Sequence, residues 1–380
     1  MHHLSKLPNV SETIFVKMSK MANENNAINL AQGFPDFPCD PYLIDLVNEA
    51  MKDGQNQYSN PIGIPSLRHS IAHLVNNCYN VDVNPESEIT VTVGATEAIY
   101  CAISAFIYPG DEVIIIEPAY DCYEPAILVN GGKVVRDAMT APDYQIDWDV
   151  VRKKVGENTK MIIVNTPHNP TGSVLDEEDF LQLDSIVADT GIIVLSDEVY
   201  EHLVFDQMPK RSILQYPAIK ENGISVSSFG KTYHTTGWRM GYCIGAEKLT
   251  TEIRKVHQYN VYSTNTPLQV AFAKYLQDRS KYDTLPTFFQ QKRDQFLDAM
   301  KPSQFVPLKS SGTYFQLFDY AHISDLNDVA FCEWLVIHKK VAAVPVSVFY
   351  ENGHDQKVIR LCFAKSTATL DAAASRLCAV

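Results

Sequence analysis

The stretch IIVLSD at residues 192–197 is a short run of apolar, mostly β-branched residues that ends abruptly in a carboxylate. Similar runs recur along the chain and alternate with segments of helical hydrophobic spacing. They are EITVTV (88–93), EVIIIE (112–117), KMIIVN (160–165), ISVSSF (224–229) and YCIGA (242–246). Strands that are apolar on both faces are typical of a mainly parallel sheet covered by helices on both sides. The pattern therefore predicts an α/β fold.

The two ends of the chain have a different pattern. Near the C-terminus, TYFQLFDY (313–320), AAVPVS (342–347) and KVIRLCFA (357–364) indicate strands mixed with helices, which favours a smaller α+β domain. At the N-terminus, SETIFVKMSKMANEN (11–25) predicts a short helix before an extended run. The expected division is an N-terminal segment of the small domain at 1–30, a large domain at 31–282 and the C-terminal small domain at 283–380.

The composition argues against several classes of protein. A formal net charge of −13 repels phosphate backbones and anionic lipid, so we expect no nucleic-acid or membrane partner. No apolar stretch approaches a membrane span, and MHHLSKLPNV lacks the apolar core of a signal peptide. The eight cysteines are scattered without a CxxC pair, which favours reduced thiols and a cytoplasmic location.

Polar residues stand where several predicted strands end. They are Gly94-Ala95-Thr96, Tyr120, Asn169, Asp197 with Tyr200, and Ser228 with Lys231. Ligands of open α/β sheets bind beyond the carboxyl ends of the strands. The sequence therefore predicts that these residues form one site.

The segment SFGKTYHTTGWRMGY (228–242) places Lys231 among small residues just after a strand. Burial and a neighbouring cation lower the pKa of a lysine, and the neutral amine forms an imine with an aldehyde. Ser228 and Arg239 offer a hydroxyl and a guanidinium, which suit a phosphate dianion beside that imine. Taken alone, an exposed lysine beside a structural arginine is the simpler interpretation.

Asp197 ends a strand that is predicted to be buried, so its carboxylate needs a cationic partner. A protonated ring nitrogen would supply one, and Tyr200, three residues later, can donate to an oxygen of the same ring. Capping of a following helix by Asp197 is at least as good an interpretation of this segment alone.

Two turns add candidate ligand-binding groups. In NTPHNPTG (165–172), two prolines and a glycine enforce a turn, and the Asn169 amide faces either a ligand or only the local backbone. In TVGATEAIY (92–100), a helix begins directly after a strand, so the backbone N–H groups of Ala95 and Thr96 form a natural phosphate seat. Many ordinary strand-to-helix turns share this second pattern.

Arg360 lies in an apolar strand within IRLCFAK (359–365), where an unpaired guanidinium is costly. The α-carboxylate of an amino acid suits its fork of donors, and a structural ion pair is the alternative. Near the front of the chain, NLAQGFPDFP (29–38) and YSNPIGIPSLR (58–68) are Gly/Pro-rich loops suited to closing over a ligand.

In their order and spacing, from GFPDF to IRLCFAK, these motifs together resemble the fold-type-I pyridoxal-phosphate (PLP) aminotransferases of class I and II. The resemblance covers almost the whole chain. It implies the PLP-transferase type I fold, with a large, mainly parallel sheet domain and a smaller α+β domain. It also implies PLP as cofactor, held by Lys231 as a Schiff base, and ping-pong transfer of an amino group to a 2-oxo acid.

The resemblance also implies a role for each motif residue. The implied catalytic residues are Lys231, Asp197 and Tyr200. The implied cofactor-binding residues are these three together with Asn169, Ser228, Arg239, the backbone of Ala95 and Thr96, and Tyr120, whose ring stacks on PLP. The implied substrate-binding residues are Arg360, which binds the α-carboxylate, and Gly33 and Asn169 beside it. Tyr58 reaches the phosphate of the neighbouring subunit, which implies a homodimer with shared active sites.

The segments EPAYDCYEP (117–125) and RKVHQY (254–259) are similar to the branch that holds kynurenine, glutamine–phenylpyruvate and methionine aminotransferases. Dicarboxylate-specific relatives use a second cation near here, but residues 256–270 contain Tyr259 and Tyr262 and no Lys or Arg. We therefore expect a large neutral amino donor, methionine or phenylalanine. Kynurenine or glutamine as donor, and β-elimination of cysteine S-conjugates on the same scaffold, stay open as alternatives.

Other classes of protein fit less well. A nicotinamide dehydrogenase would carry GxGxxG after a strand, and this chain does not. A DNA-binding regulator on this scaffold needs an extension for which the acidic chain has no room before GFPDF. For metal, HSIAH (69–73) lacks the glutamate of HExxH, so we expect two surface histidines and no metal site.

Overall fold

The computed structural model describes residues 4–380, and residues 1–3 of the expected N-terminal segment lie outside this range. The α-helices in chain order are α1 (Ile14–Glu24), α2 (Pro41–Lys52), α3 (Pro65–Tyr79), α4 (Ala95–Phe106), α5 (Tyr123–Val129), α6 (Trp148–Lys154), α7 (Glu177–Thr190), α8 (Pro217–Asn222), α9 (Phe229–Thr232), α10 (Glu247–Asn260), α11 (Thr266–Tyr275), α12 (Ser280–Asp283), α13 (Leu285–Met300), α14 (Asp328–Trp334) and α15 (Thr367–Leu377). The strands are β1 (Ile28–Asn29), β2 (Ile89–Thr92), β3 (Glu112–Glu117), β4 (Lys133–Ala138), β5 (Thr159–Asn165), β6 (Ile193–Asp197), β7 (Gly223–Ser228), β8 (Gly241–Gly245), β9 (Val306–Pro307), β10 (Phe315–Asp319), β11 (Val341–Ala342), β12 (Val344–Pro345) and β13 (Val358–Cys362).

Strands β2 to β8 form the main sheet, in the order β2-β8-β7-β6-β5-β3-β4. Neighbours are parallel except at β8, which runs antiparallel to both β2 and β7. The predicted mainly parallel sheet is therefore confirmed. The sequence missed β4, because KVVRDA (133–138) is a partly exposed edge strand whose polar residues weaken the hydrophobic signal.

The inner strands are buried on both faces, as their apolar runs predicted. Along β3, Ile115 packs into one hydrophobic cluster with residues of α4 and α10, while its neighbour Ile114 packs into another with α6 and α7. Successive side chains of a strand point to opposite faces, so each face is covered by its own set of helices. The α/β architecture with helices on both faces is thus confirmed.

A second sheet lies in the C-terminal part of the chain, with the order β12-β13-β10-β9 and antiparallel pairing. The N-terminal segment joins this part, because β1 pairs in parallel with β11, with Ile28 opposite Val341. Lys17 of α1 also forms an ion pair of 2.6 Å with Glu333 of α14. These contacts confirm a smaller α+β unit beside the main sheet.

The structure also describes the length of each helix and the exposure of the two histidines in HSIAH (69–73). None of the helices within residues 4–380 has the length and apolar character needed to cross a membrane. His69 and His73 lie on α3, and both side chains are exposed, as expected for surface histidines.

Gly241 brings β8 against the start of α4. A β-carbon on Gly241 would lie 2.7 Å from the Ser227 carbonyl oxygen, 2.9 Å from the Gly94 carbonyl carbon and 3.0 Å from the Ala95 nitrogen. These are backbone atoms, which cannot rotate out of the way. The close approach fixes the position of the Gly94–Ala95 turn relative to the sheet.

We expect Gly241→Ala to lower the free energy of unfolding by about 1–3 kcal/mol, because the extra methyl group overpacks the backbone. Urea denaturation followed by circular dichroism measures this loss. Gly156→Ala is the matched control, since a β-carbon there meets no atom within 4 Å, and it should leave stability unchanged. A Gly241→Ala protein as stable as the wild type would contradict the close packing.

Candidate active site

A cavity opens where β5, β6 and β7 end and α4 begins. Its walls contain Ala95, Thr96, Ile99, Tyr120, Asn165, Asn169, Asp197, Val199, Tyr200, Ser228, Lys231 and Arg239. All the polar residues that the sequence places at strand ends are thus brought together in one site. Three other predicted site residues, Gly33, Arg360 and Tyr58, lie outside the walls of this cavity.

Asp197 ends β6 with only 4% of its surface exposed. Its Oδ2 atom accepts a 2.6 Å hydrogen bond from the Tyr123 hydroxyl, and Oδ1 accepts a 3.3 Å bond from the Val199 backbone. A turn follows, so the carboxylate does not cap a helix, which was the alternative interpretation. Burial raises the pKa of Asp197, and the Tyr123 hydrogen bond opposes this rise. Within residues 4–380 no basic group pairs with it.

Lys231 lies in the single turn of α9, directly after β7, and its Nζ donates to the Gly33 carbonyl at 3.1 Å. Burial lowers the pKa of Lys231 to about 8, and the positive charges of Arg360 and Arg239 act in the same direction. With this pKa roughly a tenth of the amine is neutral at pH 7, far more than for an ordinary lysine, and the neutral form is the one that acts as a nucleophile or base.

Three kinds of anion-binding group meet on one wall of the cavity. The first turn of α4 presents Ala95 and Thr96, and Ser228 and Arg239 add a hydroxyl and a guanidinium. Gly94, with a φ of 77°, precedes the helix, and a β-carbon on it would lie 2.8 Å from Arg239 Nη2. Only glycine permits both this backbone conformation and the close approach of the guanidinium. The wall is suited to a phosphate group.

A chain of hydrogen bonds connects Asp197 to Arg360. The Asn165 side chain donates from Nδ2 to the Asp197 carbonyl at 2.7 Å, and its Oδ1 accepts from the Asn169 backbone at 2.8 Å. The Asn169 Oδ1 atom in turn accepts a 2.6 Å bond from Arg360 Nη1. These hydrogen bonds hold the Asn169 amide at the cavity wall. The Asn169 side chain therefore binds a residue distant in sequence, Arg360, and not only its local backbone.

Arg360 lies in β13 with 1% of its surface exposed. Besides the Asn169 bond, its Nη2 donates to the Ala31 carbonyl at 3.0 Å, and its guanidinium carbon lies 3.9 Å from the centre of the Phe315 ring. Within the described residues Nε has no partner and no carboxylate pairs with the guanidinium, contrary to the structural ion-pair interpretation. Burial lowers the pKa of Arg360. A buried guanidinium that pairs with no carboxylate is suited to binding an anionic ligand.

Gly33 and Tyr58 differ in their relation to the cavity. The Gly33 carbonyl accepts hydrogen bonds from Lys231 and, at 2.6 Å, from the Tyr314 hydroxyl, and a β-carbon on Gly33 would lie 2.8 Å from the Phe315 ring. Gly33 therefore borders both Lys231 and the ring beneath Arg360. Tyr58 is 82% exposed and packs edge-to-face on Tyr262, with ring centres 5.1 Å apart.

Sequence reasoning missed several residues of the site. Tyr123 and Asn165 stand inside the quoted motifs EPAYDCYEP and NTPHNPTG, yet their hydrogen bonds to Asp197 depend on tertiary contacts. Tyr314 and Phe315 lie in TYFQLFDY, where alternation of apolar residues indicated only a strand. No local pattern distinguishes these four from ordinary core residues.

Comparison with known proteins gives concordant matches over the whole chain. The model of the family "Aminotransferase class I and II" matches residues 25–377. Methionine aminotransferase of Escherichia coli is 46% identical, over 98% of this chain and 97% of that protein. Kynurenine–oxoglutarate transaminase 3 of Mus musculus is 34% identical, over 97% of this chain and 88% of that protein.

Solved structures agree. An Escherichia coli protein whose crystal structure identified a methionine aminotransferase function has a TM-score of 0.98 and 46% identity, with 100% of both chains covered. N-succinyldiaminopimelate aminotransferase of Mycobacterium tuberculosis has a TM-score of 0.95 and 34% identity, again with 100% of both chains covered. The site residues described above thus belong to a fold that this chain shares in full with both proteins.

We expect Tyr123→Phe to lower the free energy of unfolding by about 1–3 kcal/mol, because the buried Asp197 carboxylate loses its shortest hydrogen bond. Urea denaturation of the ligand-free protein measures this loss. Tyr120→Phe is the matched control, since Tyr120 lines the same cavity and its hydroxyl bonds no protein group within the described residues. Equal stability of the two variants would contradict the role of the Tyr123 hydroxyl.

Proposed function

Because the chain belongs to the class I and II aminotransferase family, we propose that it moves the amino group of a large neutral amino acid to a 2-oxo acid, with PLP as cofactor. Methionine and phenylalanine are the proposed donors. The observation that carries the proposal is the cavity itself, where Lys231, with its lowered pKa, and the buried Asp197 lie near Arg360, whose guanidinium pairs with no carboxylate of residues 4–380.

PLP fits the charges of this cavity. Asp197 has no cationic partner among the described residues, so a protonated pyridine nitrogen would complete its ion pair. The first turn of α4, Ser228 and Arg239 would hold the phosphate. When bound, PLP supplies a cationic ring that delocalises the negative charge on the substrate Cα.

Further residues would orient the ring. The Tyr200 hydroxyl and the Asn169 amide line the cavity and would donate to the phenolate oxygen. The Tyr120 ring lines the same cavity and would stack on the pyridine ring. The Asn165–Asn169 hydrogen bond supports this assignment, because it fixes the Asn169 backbone at the cavity wall.

Lys231 would hold the cofactor covalently and later carry the proton of the reaction. Its neutral amine would take the proton from the substrate Cα, and the ammonium group so formed would return that proton to the adduct as the product forms. Burial lowers the pKa of Lys231 to about 8, so the amine is able to accept and to release this proton near neutral pH. Asp197 and Tyr200 assist by holding the reacting group in place.

Arg360 would bind the substrate α-carboxylate. Its guanidinium is fixed by Asn169, Ala31 and the Phe315 ring, so little conformational freedom is lost on binding. Gly33 would border the same carboxylate. Because Asn169 contacts Arg360 directly, it would link cofactor and substrate binding.

Three observations support a neutral substrate side chain. Residues 256–270 contain no Lys or Arg, and Tyr259 and Tyr262 expose aromatic surface there. The most similar of the curated relatives reported above is a methionine aminotransferase.

Kynurenine is a second candidate donor, which the 34% identity to kynurenine–oxoglutarate transaminase 3 supports.

We further propose a homodimer with shared active sites. Tyr58 is largely exposed and lies outside the cavity of its own chain, which fits a residue that reaches the phosphate of the neighbouring subunit. Tyr58, Tyr259 and Tyr262 together leave aromatic surface exposed, as at subunit interfaces. The cytoplasmic location is also a proposal, supported by the eight free cysteines.

The domain boundaries stay a proposal as well. The large PLP-binding domain would span 31–282, and the small domain would combine 1–30 with 283–380. In support, the strands of the main sheet fall between Ile89 and Gly245. The pairing of β1 with β11 ties the N-terminal segment to the C-terminal part.

An amino-acid panel with one fixed 2-oxo acid tests the proposed function. We expect methionine and phenylalanine to exceed glutamate and aspartate by at least about ten-fold in kcat/KM, because an apolar pocket cannot pair a second carboxylate. Lys231→Ala, which lacks the reacting amine, is the control and should show no turnover. A wide preference for glutamate or aspartate would contradict the neutral pocket.

We expect Arg360→Leu to raise KM for the amino acid by roughly a hundred-fold or more, since a buried charge pair to the α-carboxylate is lost. The visible absorbance band of bound PLP should persist, which a spectrum of the purified variant checks. Arg293→Leu is the control, because Arg293 is also buried but pairs with Asp206 outside the cavity. Loss of the PLP band in Arg360→Leu, or an unchanged KM with the band intact, would mean that Arg360 has another role.

A further inference from the structure

A buried cluster of Glu97, Cys101 and His257 lies beside the first turn of α4, and neither the proposed catalysis nor the cofactor contacts use it. The ligand-type atoms of the three residues all lie within 4.8 Å of one another. Glu97 is in the first turn of α4, directly after Thr96. His257 is in the last turn of α10 and is completely buried.

The hydrogen bonds identify the cluster as a carboxylate surrounded by donors. Glu97 Oε1 lies 2.8 Å from Cys101 Sγ and 2.9 Å from His257 Nδ1, and Oε2 accepts from the Val93 backbone at 3.2 Å. Burial raises the pKa of the Cys101 thiol, so it is no thiolate ligand. Because the lone pairs of Glu97 already face these donors, the arrangement does not suit a metal ion.

His257 is held between two acceptors. Its Nδ1 faces the Glu97 carboxylate, and its Nε2 lies 2.9 Å from the Pro61 carbonyl oxygen. If Nε2–H donates to the Pro61 carbonyl and Glu97 is ionised, Nδ1 must also carry a proton, because neither of these oxygens can donate. Burial opposes ionisation of Glu97, yet its hydrogen bond and charge interaction with His257 lower the pKa of Glu97 overall. The two residues therefore form a buried ion pair.

Pro61 belongs to the Tyr58 loop, which we define as residues 57–64. Three other contacts fasten this loop to α11. Thr266 Oγ1 donates to the Gln57 carbonyl at 2.7 Å, Gln269 Nε2 donates to Ser59 Oγ at 2.9 Å, and Gln269 Oε1 accepts from the Ile64 backbone N–H at 2.8 Å. The contact of His257 with Pro61 differs from these three, because His257 also contacts Glu97 of α4. One imidazolium thus joins the loop that carries Tyr58 to the helix that begins at the proposed phosphate seat.

The negative charge of Glu97 lies in the helical turn that forms the proposed phosphate seat. Glu97 belongs to the same first turn of α4 as Ala95 and Thr96, so its negative charge would oppose a phosphate dianion bound at their backbone. We propose that His257 is a positioning residue for the cofactor phosphate, because its imidazolium neutralises Glu97 beside the phosphate seat and ties the Tyr58 loop to the same helix. This inference rests on the proposed PLP-dependent function.

The test is the affinity of His257→Gln for PLP and for pyridoxal, the same aldehyde without the phosphate. Glutamine keeps a donor but carries no charge, so Glu97 stays uncompensated. We expect the dissociation constant for PLP to rise on the order of ten-fold. The affinity for pyridoxal should not change, because only the phosphate senses Glu97. Titration of the cofactor-free enzyme, followed at the visible band, measures both.

Removal of both charges provides the matched control. The double variant Glu97→Gln with His257→Gln should regain PLP affinity to within a few-fold of the wild type. Glu97→Gln alone should bind PLP at least as tightly as the wild type, and it decides the question if His257→Gln does not fold. Parallel losses for PLP and pyridoxal, or no recovery in the double variant, would indicate a merely structural role and overturn the inference.

PLP binding by the wild type and by His257→Gln distinguishes failure of the proposed function from failure of the role of His257. A wild-type enzyme that binds no PLP would overturn both. A wild-type enzyme that binds PLP, with a His257→Gln variant of equal affinity, would overturn only the role of His257.

Discussion

Asp197 places a carboxylate at the end of the central strand of the main sheet, buried and without a cationic partner among the described residues. Burial limits its solvation, and the Tyr123 hydroxyl, one backbone N–H and the positive charge of Lys231 stabilise the carboxylate. The parallel strands on either side bring Asn165 and Ser228 to the same edge of the sheet. The geometry of the site follows from this one unpaired charge, which a protonated ring nitrogen would complete.

Arg360 presents the opposite case, since it is a buried cation whose Nε has no hydrogen-bond partner in the described part of the chain. The two buried charges arise from different sheets, β6 of the main sheet and β13 of the second sheet, and Asn165 and Asn169 connect them. The site is thus built where the two sheets meet. Under the proposed function, one ligand would satisfy both charges, with a cationic ring at Asp197 and the α-carboxylate of an amino acid at Arg360.

The strand-end residues were predictable because each followed an apolar run, and the carboxyl ends of neighbouring parallel strands share one edge. β4 was missed because an edge strand is only half covered and its hydrophobic pattern is weak. Tyr123 was missed because its hydroxyl meets Asp197 across 74 positions of sequence. Glu97 and His257 lie 160 positions apart, so neither residue could be assigned a partner from local pattern alone. The roles assigned to the site residues came from resemblance, and they stay predictions.

Lys231 is the residue on which the account depends most directly, and covalent trapping of the cofactor addresses it. The enzyme with bound PLP is reduced with sodium borohydride, digested and mapped by mass spectrometry. We expect the pyridoxyl group on Lys231 alone, because its amine has a lowered pKa within the cavity. A label on another buried lysine such as Lys365, or no label in an enzyme that still transaminates, would contradict the account.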